Sequence, residues 1–169
     1  MTSKQNSTSI RLPMWDELPT LDLHLDQLLA LTNQYLSPII GSQITKTMMH
    51  NYFKANIIVP PIKKKYWRTQ LAGAIVVGLL KNIFTLNEIK VGLRAILADN
   101  SPKVGYNHFV IMFNEQAAKA GTVPSALNSL DLESADTSTI MQYDAVQSIL
   151  FWLAAKARLA EASTKKVKK

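Results

Sequence analysis

The stretch TKTMMHNYFKANIIVPPIKKKYWR, residues 45–68, places a short amphipathic segment ahead of an extended basic one. Thr45 is a favourable N-cap, and a helix over residues 46–55 would turn Met48, Met49, Tyr52 and Phe53 inward. Asn56 follows at the position after a helix C-terminus, where a left-handed backbone is common and Asn is tolerated. The chain then runs extended through residues 57–61 to three consecutive lysines. This stretch therefore predicts a helix followed by a basic loop or wing.

Apolar residues recur at helical spacing on both sides of this stretch, and the whole pattern predicts an all-α fold. The predicted helices cover residues 22–36, 46–55, 69–83, 86–98, 105–119 and 138–161. Pro38 and Gly41 are expected to end the first helix, and Thr85 with Glu88 forms a capping box for the fourth. The uncharged run Leu71–Leu80 is shorter than the roughly 20 residues that span a bilayer. We expect it to be a buried core helix.

The chain divides into four predicted segments. Residues 1–10 are polar and residues 162–169 are rich in lysine, so we expect both ends to be disordered. Asn100-Ser101-Pro102 is a strong break in the helical pattern. We therefore expect a first domain over residues 11–99 and a C-terminal helical subdomain over residues 100–161.

The composition is that of a folded protein, with 47% hydrophobic and 18% charged residues among 169. The chain has no cysteine, which excludes disulfide scaffolds, Cys-ligated zinc and thiol nucleophiles. No apolar stretch near the N-terminus is typical of a signal peptide. These features favour a protein of the reducing cytoplasm that does not contact a membrane.

Positive charge is concentrated in one part of the chain. The net charge is +7, and residues 27–87 contain no Asp or Glu but seven Lys or Arg. Residues 88–155 are mildly acidic, with seven acidic and four basic side chains. This distribution favours an anionic partner for the basic half, such as nucleic acid or an acidic membrane surface. Of these we expect double-stranded DNA, which the family resemblance described below implies.

The order of these motifs resembles a known family pattern. Residues 45–52, 56–60, 66–68 and 84–89 resemble the DNA-binding half of MerR-type regulators, which is a helix-turn-helix with a wing and a two-helix support. Over residues 11–155 the chain more closely resembles a YkrK-like family of bacterial proteins, a domain of unknown function whose members look like transcription regulators. The shared residues are Leu12-Pro13, Trp15, the Thr-rich helix and the Pro-Pro-Lys segment.

This resemblance implies a MerR-like winged helix-turn-helix with an appended helical subdomain. It also implies a sequence-specific DNA-binding transcription regulator, and we favour a repressor because occlusion of a promoter requires no further machinery. Asn56 stands where MerR proteins usually have Gly, and His50 stands where they often have Arg. The wing between Pro61 and Tyr66 is short and lacks glycine, which leaves open whether it is a hairpin or only a basic loop.

The candidate DNA-binding residues come from the helix and the wing. Small polar or cationic side chains on an exposed helix face can reach base edges, and clustered lysines can contact phosphates. Tyr66 is more easily explained by packing under the wing than by stacking on bases. The alternative is that these side chains form only a solvated surface. The candidates are Thr45, Lys46, Thr47, His50, Asn51, Lys54, Lys63, Lys64, Lys65, Tyr66 and Arg68.

No pattern in the chain predicts catalysis. The three histidines are far apart, and no phosphate-binding glycine loop or nucleophile motif is present. We therefore expect no enzyme activity, no metal and no cofactor.

Two further expectations concern the C-terminal half. Phe151 and Trp152 lie off the apolar stripe of the last helix and are the predicted seam of a homodimer. A small apolar effector bound among Phe109, Met112, Phe113 and the last helix is a further option. The alternative function is that of a protein-interaction adaptor without DNA binding, in which the acidic half binds the partner.

Overall fold

The computed structural model describes residues 10–119, 131 and 133–166, and this part of the chain is mostly helical. The all-α prediction is confirmed, and the described residues form no strand, only two isolated β-bridges. The helices are α1 (Leu25–Ile40), α2 (Lys46–Lys54), α3 (Arg68–Leu80), α4 (Leu86–Ala98), α5 (Pro102–Lys119) and α6 (Thr137–Lys166), after a short 3-10 turn at Trp15–Glu17. Two ends were predicted to be disordered, and residues 1–9 and 167–169 of them lie outside the described residues. Helix α6 continues through residues 162–166 of the C-terminal end.

Helix α1 begins three residues later than the periodicity predicts. Leu23 is extended and exchanges two backbone hydrogen bonds with Tyr66, at 2.7 and 3.0 Å. This long-range pairing occupies the backbone groups that would have started the helix. His24 therefore becomes the N-cap, and its N–H donates to the Gln27 side chain at 2.8 Å.

The prediction that Pro38 ends α1 is wrong. The helix continues through Pro38 to Ile40, although a proline removes one backbone hydrogen bond. Ile39 and Ile40 are buried, and their burial offsets that loss. The helix ends instead at Gly41, whose φ of 70° is left-handed and whose N–H donates to the Ser37 carbonyl at 3.0 Å.

Helix α3 is the centre of the core, as the apolar run predicted. Its residues are buried on all sides from Leu71 to Leu80, apart from the partly buried Gly73. A helix that is apolar all round requires neighbours on every face. Gly78 allows the closest approach, because a Cβ there would lie 2.6 Å from Leu36 Cδ1 of α1.

The segment before α1, residues 10–24, is called the N-terminal strap below. It is attached to α5 by Asn114, whose side chain accepts from the Leu12 N–H at 2.8 Å and donates to the Leu12 carbonyl at 2.9 Å. The buried Tyr106 hydroxyl donates to the Pro13 carbonyl at 2.8 Å. One cluster of buried apolar side chains extends from the strap to α6 and crosses the expected domain boundary at residues 99–100. The division into two units stays a prediction.

In the part of the chain that the structure describes, every helix is too short or too polar to span a bilayer.

Candidate nucleic-acid interface

Helix α2 begins at the predicted residue, Lys46, and ends at Lys54, one residue before the predicted end. The Thr45 hydroxyl accepts a hydrogen bond from the Met48 N–H at 3.3 Å, so this candidate contact residue is also the N-cap. At the other end Asn56 has a left-handed φ of 52°, as expected. Met49 and Tyr52 are almost completely buried beneath the helix. Burial also raises the pKa of the Tyr52 hydroxyl well above its usual value.

The opposite side of α2 is polar and exposed. Thr47, His50, Asn51 and Lys54 follow helical spacing and point to solvent together. None of these four side chains has a hydrogen bond or ion pair to another residue within the described ranges. We call these four residues the polar face of α2. It is a free surface without carboxylates, and its side chains include types that can hydrogen-bond to base edges.

Both ends of α2 are held by side chains from other helices. Asn33 of α1 donates to the Ile44 carbonyl at 2.9 Å and accepts from the Ile44 N–H at 2.7 Å. Lys90 of α4 donates to the Ala55 carbonyl at 2.8 Å. Neither residue could be recognised from the sequence, because an amide or ammonium that caps a distant backbone leaves no local pattern. Together they fix the orientation of α2 on the core.

The short wing is a two-residue hairpin turn. Ile62 and Lys65 exchange backbone hydrogen bonds of 3.2 and 2.9 Å, and the residues between them have φ of 49° at Lys63 and 60° at Lys64. Two successive positive φ angles are typical of a type I′ turn, which favours Asn-Gly. A left-handed backbone costs a residue with a side chain roughly 1–2 kcal/mol. Two lysines therefore occupy the tip in spite of the backbone strain.

Tyr66 is a correction to the candidate list. Its side chain is only 6% exposed, and its ring lies 5.4 Å from the ring of Phe53 between centroids. Burial raises the pKa of its hydroxyl. We therefore remove Tyr66 from the surface residues and assign it to packing between the wing and α2.

Three of the candidate cations are paired with acidic residues that precede the acid-free segment. Lys65 Nζ lies 3.1 Å from Asp22 Oδ2, and Lys46 Nζ lies 3.5 Å from Asp26 Oδ1. The remaining pair joins Arg68 Nη1 to Asp16 Oδ1 at 3.7 Å, and Arg68 Nε also donates to the Leu18 carbonyl at 3.0 Å. The charge pattern along the chain concealed these pairs, because the acids precede residue 27. Within the described residues, the candidate cations without an ion pair are Lys54, Lys63 and Lys64.

The two predicted dimer residues differ in their surroundings. Phe151 is 58% exposed on α6. Trp152 is partly buried against the core, and Lys156 Nζ lies 4.6 Å above the centre of its ring. Lys156 also donates to the Ile40 carbonyl at 2.9 Å, at the end of α1. Trp152 therefore packs within the protein and is poorly placed for a dimer contact. Of the two residues, only Phe151 is an exposed apolar side chain.

The apolar residues of α5 that were expected to line an effector site with the last helix lie in or against the hydrophobic core. The rings of Phe109 and Phe113 are buried, with centroids 6.5 Å apart. Met112 packs partly buried beside them. Of the three, only Phe109 lines a cavity, and the other α5 residues of its wall lie nearer the N-terminus of that helix.

Among the described residues no three His, Asp or Glu side chains are grouped closely enough to hold a metal ion. The chain matches no curated protein and no solved structure. Residues 13–109, from the strap into α5, match a family described as a domain of unknown function, DUF1836. This segment contains the polar face of α2, the wing and all of the contacts that orient them. Since it covers more than half of the chain, the protein belongs to the DUF1836 family.

Proposed function

We propose that this protein is a sequence-specific DNA-binding transcription regulator with a MerR-like winged helix-turn-helix. The observation that carries the proposal is the pairing of the free polar face of α2 with a strained turn that exposes two lysines. In this arrangement α1 and α2 are the two helices of the motif, and the wing lies beside the second. The chain acts as a binding protein and not as an enzyme.

Helix α2 has the dimensions and chemistry for base recognition. An α-helix with its side chains is about 10–12 Å across, which suits a major groove about 12 Å wide, and the nine residues of α2 form about two and a half turns. Asn51 can pair with the N6 and N7 atoms of adenine through two hydrogen bonds. Thr47 lies one helical turn before Asn51, and His50 is its neighbour in the chain. Since these side chains have no partner in the described structure, a base edge would satisfy them without breaking an existing contact.

The wing supplies backbone contacts. Lys63 and Lys64 lie at the tip of a turn whose base is packed onto α2 through Tyr66 and Phe53. A phosphate contact fixes the register of a protein on the duplex but does not read its sequence. Lys46 has only an exposed ion pair with Asp26, which is worth at most about 1 kcal/mol and can be exchanged for a phosphate.

The oligomeric state and biological role follow from this proposal. A two-fold dimer would present two α2 helices to successive half-sites, which is how single small motifs reach high specificity. Phe151 and the exposed end of α6 are the surface for that dimer. We favour repression by occlusion, in the cytoplasm.

A DNA retention experiment separates this function from the adaptor alternative. The purified protein is mixed with the DNA upstream of its own coding sequence, and bound fragments are challenged with unrelated duplex. We expect one fragment to survive an excess of competitor that removes all others. Equal loss of every fragment would overturn sequence-specific regulation and leave the adaptor function, in which the exposed apolar end of α6 contacts a protein.

A further inference from the structure

A large apolar cavity lies between the segment that carries α2 and the C-terminal helices. Its volume is about 750 Å³, within the range of 300–1,000 Å³ of small-molecule sites. Helices α3, α4, α5 and α6 form its walls, and residues 57–59, which join α2 to the wing, form one end. The cavity shares Phe109 and the last helix with the effector site expected from the sequence, but Met112 and Phe113 are not part of its wall. No local pattern marks this cavity, because its wall comes from six separate parts of the chain.

The polar groups in the wall define the kind of ligand. Gln142 lines the cavity and is only 4% exposed, and its Oε1 is buried without a hydrogen-bond partner among the described residues. A buried acceptor left without a donor costs about 1–3 kcal/mol. A ligand hydroxyl or amide N–H would supply that donor once the side chain rotates to bring its Oε1 to the cavity surface.

The charges in the wall exclude one class of ligand. The charged residues among the described lining are Glu88 and Asp144, both exposed carboxylates, and the lining includes no Lys or Arg. A carboxylate or phosphate ligand would therefore be repelled at the mouth without gaining a cation inside. The rest of the wall is mainly aliphatic and aromatic, with a few uncharged polar residues.

We propose that this cavity binds an uncharged, mainly apolar small molecule with one hydrogen-bond donor, of the chemical class of a long-chain alcohol, and that its binding changes the affinity for DNA. The second part rests on the proposed function. The mechanical connection is Ile58, which is buried in the end wall. A Cβ placed on Gly73 of α3 would lie 3.2 Å from Ile58 Cγ2. The segment between α2 and the wing therefore packs tightly against α3 in the cavity wall.

The coupling follows from this contact. A ligand that separates α3 from α4 moves the surface on which Ile58 rests, and with it the angle between α2 and the wing. The DNA affinity changes only if the ligand binds one arrangement more tightly than the other. Coupling energies between such sites usually correspond to an effect of about 5-fold or more.

Ligand binding is tested without DNA, with the neutral fluorophore 1-aminoanthracene as the probe. We expect the fluorescence emission of the probe to rise on binding. Added 1-decanol should displace the probe and lower the emission again. Decyl methyl ether shares the chain but lacks the donor, and decanoate carries a charge, so each should compete about 10-fold less well than decanol, the equivalent of one hydrogen bond. Equal or better competition by decanoate would overturn the assigned ligand class.

Substitutions at one glycine separate the cavity from the general surface. Gly92 lines the cavity, and a Cβ there would meet only Met141, at 3.9 Å, so a larger side chain enters the space without a clash with the backbone. Gly92→Phe should abolish probe binding and keep or raise the melting temperature, since a helical glycine is itself unfavourable. The controls Gly92→Ala and Ala95→Phe, the latter on the exposed side of α4, should bind the probe normally. Normal binding by Gly92→Phe would contradict the site.

The amide is tested by Gln142→Leu. This variant should bind the probe, but it should no longer distinguish decanol from the ether. A preserved preference for decanol would show that another group accepts from the ligand hydroxyl, and the role assigned to Gln142 would be wrong.

Regulation is then measured as the DNA affinity with and without saturating decanol, in wild-type and Gly92→Phe proteins. We expect a change of about 5-fold or more in the wild type and none in the variant. Probe binding without any change in DNA affinity would overturn the regulatory half alone. A protein that binds the probe but retains no DNA would instead refute the proposed function and leave the ligand site standing.

Discussion

The rings of Phe53 and Tyr66 lie 5.4 Å apart between centroids, at an angle of 44°. Phe53 belongs to α2, and Tyr66 forms the base of the wing, where it also pairs with Leu23 of the strap. This contact holds the polar face of α2 beside the lysine tip of the wing. The proposed interface therefore depends on a buried aromatic pair that would not itself touch DNA.

Removing the Tyr66 ring should damage the fold, whereas removing its hydroxyl should not affect binding. Tyr66→Ala deletes a nearly buried aromatic side chain, and we expect a loss of about 3 kcal/mol in the free energy of unfolding. Tyr66→Phe keeps the ring and should retain full DNA affinity. Chemical denaturation and a binding titration on both variants check this. Weaker DNA binding by Tyr66→Phe at unchanged stability would restore the tyrosine to the contact surface.

The wing tip should show opposite effects on stability and on binding. Replacing Lys63 and Lys64 by Asn and Gly provides the pair that a type I′ turn favours, and we expect a gain of about 1 kcal/mol in stability. The same change removes two cations that would neutralise phosphates, so specific and random DNA should both bind more weakly. The slope of log affinity against log salt should become shallower by about 0.9 for each phosphate that is no longer neutralised.

The matched control for the wing variant removes the same charge elsewhere. Arg94→Ala with Arg158→Ala deletes two exposed cations that have no ion pair in the described structure. We expect only a small, general reduction of DNA affinity. If this double variant lowered the salt slope as much as the wing variant, net charge and not the wing would account for the binding.

The capping box of α4 predicts a specific pH dependence of stability. The Glu88 carboxylate accepts from the Thr85 N–H at 2.7 Å and from its hydroxyl at 2.8 Å, and these hydrogen bonds hold the pKa of Glu88 below its ordinary value of 4.5. A lowered folded-state pKa means that the stabilisation is complete above pH 4.5 and disappears as the pH falls through the folded value.

Glu88→Gln should therefore be less stable than the wild type at pH 7, and the difference should disappear in acid. Thermal unfolding of both proteins between pH 7 and pH 3 measures it. Glu115→Gln, at an exposed position of α5, is the control for the loss of one carboxylate. A difference between Glu88→Gln and the wild type that is independent of pH would contradict this role of the carboxylate.

The dimer seam should be sensitive to the exposed apolar residues of α6. Phe151 and Leu159 are both exposed there, and changing both to Ser should leave a folded monomer with an unchanged melting temperature. Trp152→Ser should instead destabilise the monomer, because Trp152 packs against the core. Sedimentation velocity at tens of micromolar measures the state of each. A wild-type protein that sediments as a monomer would exclude this seam.

Elements that depend on neighbouring residues could be predicted from the sequence. Helix α4 has the predicted bounds because Thr85 and Glu88 cap it locally, and α2 was predicted to within one residue because Thr45 caps it. The buried α3 followed from an uncharged run that was too short for a membrane. The exposure of the polar face of α2 followed from helical spacing alone.

Features that depend on distant residues could not be predicted. Leu23 pairs with Tyr66 across more than forty residues, so the start of α1 was placed too early. The acids that pair with Lys65 and Arg68 belong to the strap, which made the basic segment look more cationic than it is. The ligand cavity is assembled from separate helices and leaves no periodic signal.

The central claim is that the polar face of α2 reads bases, and one comparison tests it most directly. Affinities for the retained fragment and for random duplex are measured for Asn51→Ala, with Gln43→Ala as an exposed control just before the helix. The proposal predicts a weakening of about 1–3 kcal/mol on the specific fragment, little change on random DNA, and normal binding by the control. An equal weakening on specific and random DNA would show that α2 does not read sequence, and it would contradict the proposed function.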